Sequence, residues 1–294
     1  MLIALGYGLF RFKIADENWE LVLSKYALYI GFPALILNAL SKIEGSLSDY
    51  SESLLLNAAF IPVLFLLAFV VGKLFAFNKS LNSALFICAV FSNIGFMGIP
   101  ILQYVYGDAV LPMGSLIAST YIFGVFTIGI LYLEYQKTGR FRLFEIIINL
   151  LKNPLLLAVL IGLVLNQLKV SLASPVSEVI RMLALSVTPI IMMVVGLFMA
   201  RSSFGKFKDW LAPLVFSGYT LVLMPVICMF LINVFDFGIG PNYPSVIEAA
   251  MPCAMTPFAL AINYEMDKNF IARSIVLSTA LSLISIPIWI NILT

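Results

Sequence analysis

The sequence predicts an all-α polytopic membrane protein with ten transmembrane helices in two inverted five-helix repeats, the crossover helices 4 and 9 broken and the first helix shortened. Three observations carry that prediction: a composition too apolar for water, charges that punctuate the chain at helix-length intervals, and an internal repeat. Of 294 residues, 62% are apolar and 11% charged, and the mean hydropathy is +1.06; soluble domains run at about 45–50% and about 25%. Too little polar surface exists to coat a body in water. The net charge of +2 is too small to point to nucleic acid. Histidine is absent, which removes the commonest metal ligand, the commonest general base and the Ser-His pair together. With no P-loop and no paired intramembrane aspartates, the expectation is a non-enzyme without cofactor or metal. Cys88, Cys228 and Cys253 lie in apolar stretches and form no CxxC pattern.

The uncharged runs place the helices in order. Helix 1 takes 1–10, helix 2 26–41, helix 3 53–72, helix 4 80–107 and helix 5 109–133. Helix 6 takes 153–168, helix 7 182–200, helix 8 210–235, helix 9 the runs 237–247 and 249–264 split by Glu248, and helix 10 274–294. About 20 helical residues cross the hydrocarbon, fewer where Lys or Arg snorkel at the ends. The runs are continuously apolar and do not alternate, which argues against membrane strands. Trp19, Trp210, Trp289, Tyr132, Tyr135 and Tyr264 fall near span ends, where aromatic belts belong. The first ten residues lack a basic region and a small-residue cleavage site, so no cleavable signal is expected.

Lys and Arg set the orientation. Arg11, Lys13, Lys25, Lys73, Lys79, Lys137, Arg140, Arg142, Lys152, Arg201, Lys206, Lys208, Lys268 and Arg273 flank one side, 14 in all, against 3 (Lys42, Lys169, Arg181) on the other. The positive-inside rule puts the 14 in the cytoplasm, predicting a multi-pass protein of the cell membrane with both termini outside.

The repeat appears at a shift of 156 residues: Gly6, Lys13 and Pro33 map to Gly162, Lys169 and Pro189, and Pro100 maps to Pro257 with one residue of slippage. Residues 1–135 form the first repeat (helices 1–5), 136–145 a short cytoplasmic connection, and 146–294 the second repeat (helices 6–10). Five is odd, so the halves have opposite topology, a signature of secondary transporters. Residues 145–156 have no counterpart in the first half, which leaves helix 1 one to two turns short and the outer leaflet beside it to lipid or a partner subunit.

Two helices are interrupted at matching places, at Ser92-Asn93-Ile94-Gly95-Phe96-Met97-Gly98-Ile99-Pro100 and at Ala250-Met251-Pro252-Cys253-Ala254-Met255-Thr256-Pro257-Phe258. Proline removes a backbone donor and clashes with the preceding turn. Broken helices survive in lipid where the freed backbone lines a cavity. The expectation is N–H groups freed around Gly95–Gly98 and Ala254–Thr256, a setting suited to a carboxylate. Asn93, Gly95, Gly98, Pro100, Gln103, Pro252, Thr256 and Pro257 are the candidate substrate-binding residues. Glu248, nine residues before Pro257, is a candidate proton-coupling group if it lies within the membrane. Pro241 and Pro244 instead suggest that helix 9 begins just before it, which would put Glu248 at the outer mouth.

The segment NIGFMGIPILQYVYG from Asn93 to Gly107 resembles the fourth helix of the auxin efflux carrier (PIN-like) family, and MPCAMTPFALAINYE at 251–265 resembles its ninth. Asn153-Pro154 followed by Gly162-Leu163-Val164, Gly196-Leu197-Phe198-Met199-Ala200 and Phe32-Pro33-Ala34-Leu35 extend the likeness over the whole chain. The resemblance implies that helices 4 and 9 cross in a transport domain (helices 3–5 and 8–10) that slides, elevator-fashion, against a scaffold of helices 1, 2, 6 and 7. It implies export of a small organic anion, auxin-like or malate-like, and it puts the family's helix-4 asparagine on Asn93 and its crossover prolines on Pro100 and Pro257. A homodimer in a lipid bilayer, with H⁺ or Na⁺ as coupling ion or none, is the expected assembly. The plant carriers have a long hydrophilic loop where this chain has the short basic stretch from Glu134 to Glu145, which points to the prokaryotic type. Two alternatives remain. A Na⁺/H⁺-coupled carrier of the bile-acid symporter or exchanger type calls for carboxylates at the crossing, and none lies between Asn93 and Pro100 or Met251 and Pro257. A non-transporting sensor on a transporter scaffold calls for a signalling domain, and no polar stretch exceeds about 15 residues.

Overall fold

A computed structural model of the chain describes residues 1–41, 47–74, 78–139, 148, 151–152, 154–170, 172–201, 207–261, 264 and 266–293. The sequence expectations that concern Lys42, Arg140, Arg142, Glu145, Asn153, Lys206, Glu265 and Thr294 lie outside the described residues. The architecture among those described is all-helical. In chain order the helices are α1 (Leu2–Arg11), α2 (Glu17–Tyr26), α3 (Phe32–Leu40), α4 (Ser51–Leu74), α5 (Lys79–Val90), α6 (Ile99–Tyr106), α7 (Leu111–Thr138), α8 (Pro154–Gln167), α9 (Ser174–Arg201), α10 (Leu211–Gly218), α11 (Met224–Val234), α12 (Ile239–Ala249), α13 (Thr256–Leu260) and α14 (Lys268–Leu293). Among the described residues, six stretches are long and apolar enough to cross a membrane: Glu17–Leu40, Ser48–Lys73, Asp108–Lys137, Ser174–Arg201, Lys208–Val234 and Lys268–Leu293. Shorter apolar helices are Leu2–Arg11, Lys79–Val90, Ile94–Tyr106 and Pro154–Gln167.

Most long helices outrun their charge-free runs, because a helix continues past the hydrocarbon until something caps it. The Glu17–Leu40 stretch starts nine residues before the apolar run at 26, where the Asp16 carboxylate accepts from the N–H groups of Asn18 and Trp19 at 3.0 and 3.2 Å. Single π turns at Ala27–Gly31, Ile94–Gly98 and Tyr219–Leu223 each lead into a helix whose second residue is proline: Pro33, Pro100 and Pro225. A proline cannot donate to the carbonyl four residues back, and the wider turn relieves the clash without ending the helix. Pro225 leaves the Leu221 carbonyl without its usual partner, and the indole N–H of Trp289 donates to it at 2.8 Å. Trp289 is therefore 8% exposed and belongs to the packing, not to an interfacial belt. Pro241 and Pro244 likewise do not precede helix 9. Both lie in α12, Pro241 in its first turn, where N–H groups have no intrahelical partner, and Pro244 inside the helix.

The residues group into two compact units. The first lies within Met1–Asp49, Gly95–Ser119 and Leu151–Ser202, the second within Tyr50–Ile94, Thr120–Leu150 and Ser203–Thr294. In the first, α1 and α3 pack on α9, and α3 also packs on α8. A Cβ on Gly6 would fall on the Met193 carbonyl and one on Gly196 on the Ile3 carbonyl, so α1 and α9 touch backbone to backbone. The ends of α1 and α8 share one capping geometry. Lys13 and Lys169 sit at φ 59° and 52°, with Ile14 and Val170 donating to Leu9 and Leu165 at 3.0 and 2.9 Å. In the second unit, α4 packs on α5, α11 and α12, and α14 packs on α5, α10, α12 and α13. Leu66, Phe69, Phe230, Ile284 and Ile288 are exposed on these helices, an outer surface suited to lipid and not to water.

The backbone contact in the first unit makes a prediction. Gly196→Ala must push α1 from α9 and should destabilise the protein by about 1–3 kcal/mol, whereas Gly218→Ala, with nothing within 4 Å of the new methyl, should leave it unchanged. Thermal unfolding of both variants in detergent is the measurement, and equal melting would refute the close contact.

Candidate functional site

In the second unit, α5 ends at Val90 and the chain runs non-helically through Phe91–Asn93; α12 ends at Ala249 and the chain runs non-helically to Met255. The two segments pair as an isolated antiparallel bridge centred on Ser92 and Cys253. Asn93 N–H donates to the Pro252 carbonyl at 2.8 Å, and Ala254 N–H donates to the Phe91 carbonyl at 2.8 Å. Around this pair four further backbone groups are tied down by side chains. Cys253 N–H donates to Ser278 Oγ on α14 at 3.1 Å, and Ser92 Oγ donates to the Met251 carbonyl at 3.1 Å. Tyr121 Oη on α7 accepts from Ser92 N–H at 3.2 Å and donates to the Val90 carbonyl. In a medium without water, backbone released by a helix break must find such partners, and here each broken helix supplies them to the other.

The break in helix 4 therefore falls upstream of the expected freed segment, while that in helix 9 overlaps it at Ala254 and Met255. The expected freed segments are Gly95–Gly98 and Ala254–Thr256; the unwound ones are Phe91–Asn93 and Met251–Met255. Gly95–Gly98 stays wound because the π turn accommodates Pro100, and the N–H of Ala254 is committed to Phe91.

The candidate residues divide between the two units. Asn93, Pro252, Thr256, Pro257 and Glu248 belong to the second, where the backbone pairing brings Asn93 and Pro252 together. Asn93 is 4% exposed, and its side-chain amide, unlike its backbone, is not part of the pairing. Thr256 opens α13, with Pro257 in that helix's first turn. Gly95, Gly98, Pro100 and Gln103 belong to the first unit, where Phe96 stacks on Phe32 at 5.2 Å. There the Gln103 amide donates to Asp108 at 2.9 Å and accepts from Thr188 at 3.3 Å, so both of its polar ends hold structure.

Missing from the sequence expectations is a buried polar ladder between α4 and α12. Ser53 Oγ donates to Asn242 Oδ1 at 2.6 Å, and Asn57 Nδ2 donates to Ser245 Oγ at 2.8 Å and to the Ser53 carbonyl at 2.8 Å. Ser53, Asn57, Asn242 and Ser245 are each at most 3% exposed. The signal was the spacing of Asn242, Ser245 and Glu248, three apart, which puts them on one helical face. Glu248 is 1% exposed, and neither carboxylate oxygen has a hydrogen-bond partner among the described residues. It lies in the last turn of α12, next to the unwound segment.

Apolar helices, two of them interrupted and paired through their own unwound backbone, define a class: polytopic membrane proteins with discontinuous helices, the form used by secondary transporters. The chain belongs to the membrane transport protein family, the auxin efflux carrier-like family, whose model matches residues 1–290. It is 27% identical to a protein of Methanocaldococcus jannaschii described as an uncharacterized transporter, over 98% of this chain and 94% of that one. It is 28% identical, with the same coverage, to an uncharacterized transporter of Methanothermobacter thermautotrophicus. It is accordingly a multi-pass membrane transporter.

The Tyr121 hydroxyl serves the Val90 carbonyl and the Ser92 N–H where α5 ends, so Tyr121→Phe should leave a buried N–H and a buried carbonyl unpaired and cost about 1–3 kcal/mol. Thermal unfolding in detergent measures this; a variant that melts with the wild type would mean that the hydroxyl is not holding the break.

Proposed function

We propose that the chain moves a small organic anion, a carboxylate of auxin-like or malate-like kind, across the cell membrane by elevator-type alternating access. The observation that carries the reading is the paired break: two interrupted helices whose unwound segments bond to each other in the interior of one unit. Such a pair holds irregular backbone at membrane depth without leaving its N–H and carbonyl groups in lipid, and it offers polar side chains there. In this reading α1, α2–α3, α4, α5–α6 and α7 are the five helices of the first repeat, and α8, α9, α10–α11, α12–α13 and α14 those of an inverted second. The shared caps at Lys13 and Lys169, 156 residues apart, support that pairing. Helices 1, 2, 6 and 7 serve as scaffold and helices 3–5 and 8–10 as the moving part, in a homodimer.

The Asn93 amide and the Thr256 hydroxyl are the donors proposed for the carboxylate. Pro252 lies in the unwound segment of helix 9 and Pro257 in the first turn after it, Gly95, Gly98 and Pro100 shape the π turn that follows the break in helix 4, and Gln103 braces the wound half of helix 4. No Lys or Arg lies in either interrupted segment, so the site holds its anion loosely, as release requires. Flux is outward where the anion is in excess inside.

A hydrogen bond to a charged group is worth roughly 1.5–3 kcal/mol, so Asn93→Ala should weaken carboxylate binding about ten- to a hundredfold. Pro100→Ala and Pro257→Ala should impair transport of radiolabelled malate or indole-3-acetate in proteoliposome counterflow while the protein still folds. Wild-type values in all three variants would place the site elsewhere.

The 14-to-3 charge bias further predicts a cytoplasmic Gly139. The native cysteines Cys88, Cys228 and Cys253 are buried, so Gly139→Cys can be probed in whole cells. An impermeant maleimide should label it only after the membrane is opened, and labelling of intact cells would reverse the topology.

A further inference from the structure

Three features of the second unit converge on Glu248. The carboxylate is buried with both oxygens unbonded among the described residues. Beside it is a cavity of about 10 Å³, lined by Asn57, Ser92, Tyr121 and Glu248 among apolar walls such as Phe60 and Met224. That is room for one water-sized body, too little for an organic anion. The donors around the cavity point elsewhere. Asn57 Nδ2 serves Ser53 and Ser245, the Tyr121 hydroxyl serves Val90, and the Ser92 hydroxyl serves Met251. What remains for the cavity is a carboxylate, an amide oxygen and hydroxyl oxygens. These are acceptors with one negative charge among them.

An acceptor-lined, anionic hole of this size calls for a cation. A bare hard metal ion needs about six oxygens around it, and half of this wall is hydrocarbon. No cluster of three metal-ligating acidic, His or Cys residues occurs among the described residues. A proton needs one oxygen, and it turns an orphan acceptor into a donor while removing the charge. Tyr121 on α7 and Cys228 on α11 are the titratable groups that sense Glu248, with Cys253 beyond Tyr121. From α4 and α5 the neighbours are Asn57, Phe60, Leu64 and Ala89, and no Lys, Arg or second carboxylate acts on it from α14 or elsewhere among the described residues. Its charge state is thus answerable to what arrives nearby. The Glu248 carbonyl accepts from Met251 N–H at 3.2 Å, so the carboxylate is rooted one turn from the unwound segment, and Ser92 belongs to both the pairing and the cavity wall. An anion entering beside Asn93 would meet an ionised Glu248 in a low-dielectric interior and be repelled.

We propose that Glu248 is a proton site coupled to the anion: it takes one proton from the aqueous phase as the anion binds and returns it as the anion leaves, so the two cross together. The exchange is carboxylate plus H⁺ giving carboxylic acid and its reverse, with no bond of the cargo altered. This rests on the organic-anion reading above. Coupling is reciprocal, so lower pH tightens anion binding and bound anion tightens the hold on the proton.

The test uses the intact chain in proteoliposomes with radiolabelled L-malate outside and a pH-reporting dye inside. In the wild type, the half-saturating malate concentration should rise by up to about tenfold per pH unit across the range in which Glu248 titrates, and each malate should carry in a proton. Glu248→Gln, an isostere of the acid, should keep malate exchange but lose the pH slope and the accompanying proton; Glu248→Asp should retain both. A Gln variant that keeps slope and proton flux, or uptake driven by a Na⁺ gradient at constant pH, would overturn the proposal. Infrared spectra of the substrate-free protein in lipid separate this from failure of the anion reading. A protonated-carboxyl C=O band that titrates with pH and vanishes in Glu248→Gln upholds the proton site even if no carboxylate is transported, and absence of such a band refutes it.

Discussion

Backbone groups released inside a membrane have no water to turn to, and the second unit is arranged around that constraint. Helices α5 and α12 both stop in the interior. Either stop alone would strand carbonyl and N–H groups at several kcal/mol each. Set side by side in antiparallel sense, Phe91–Asn93 and Met251–Met255 exchange two backbone hydrogen bonds, and Ser278, Ser92 and Tyr121 take up groups the exchange leaves over. The interruption on one helix is therefore tolerable because of the interruption on the other. Mending one break alone would orphan its partner, so the two depend on each other energetically.

The two units hold together by different means. In the first, the hydrophobic effect gives no preference for helix contact over lipid contact, and association relies on close van der Waals approach. Gly6 and Gly196 supply it by removing the side chains that would separate α1 from α9. In the second, the adhesive is polar. Ser53–Asn242 and Asn57–Ser245 bond α4 to α12 where neither helix has a competing solvent. A glycine contact is geometrically strict and chemically inert; a ladder of amides and hydroxyls can exchange partners if its neighbours shift. Polar adhesion in one unit and apolar contact in the other suit a division in which chemistry resides in the second.

Much of this was legible in the sequence, for reasons that also explain the misses. Spans follow from uncharged runs because a charge is costly in hydrocarbon, but ends do not, since capping by Asp16 lies outside the hydrophobic signal. The existence of two breaks was readable from Pro100 and Pro257, and the place of the second nearly so, while the place of the first was not. A proline marks a donor that is missing, not the residue at which the helix yields, and the π turn at Ile94–Gly98 moves the yielding point upstream. Trp289 looked interfacial because its partner, the Leu221 carbonyl freed by Pro225, is 68 residues away. Asn93 and Glu248 were both visible as polar residues in apolar surroundings. What the sequence does not encode locally is which of them is bonded, because that depends on α4, α7 and α14 arriving from elsewhere in the chain.

Bonding is the criterion that separates scaffold from function here. A buried polar group with partners is a structural element; one without them costs several kcal/mol if charged, and such a cost persists where some state of the protein offsets it. Ser92, Asn57, Asn242, Ser245, Ser278 and Tyr121 each meet that test as structure, since their bonds hold helices and the broken backbone in place. Glu248 does not. It shares a wall with Asn57, Ser92 and Tyr121, whose donors are all engaged in other directions, so rotating a neighbour toward it would undo a bond elsewhere. The frame that makes two broken helices stable in lipid is the same frame that withholds a partner, among the described residues, from the buried Glu248 carboxylate, and this is the ground on which a proton from solution is proposed as that partner.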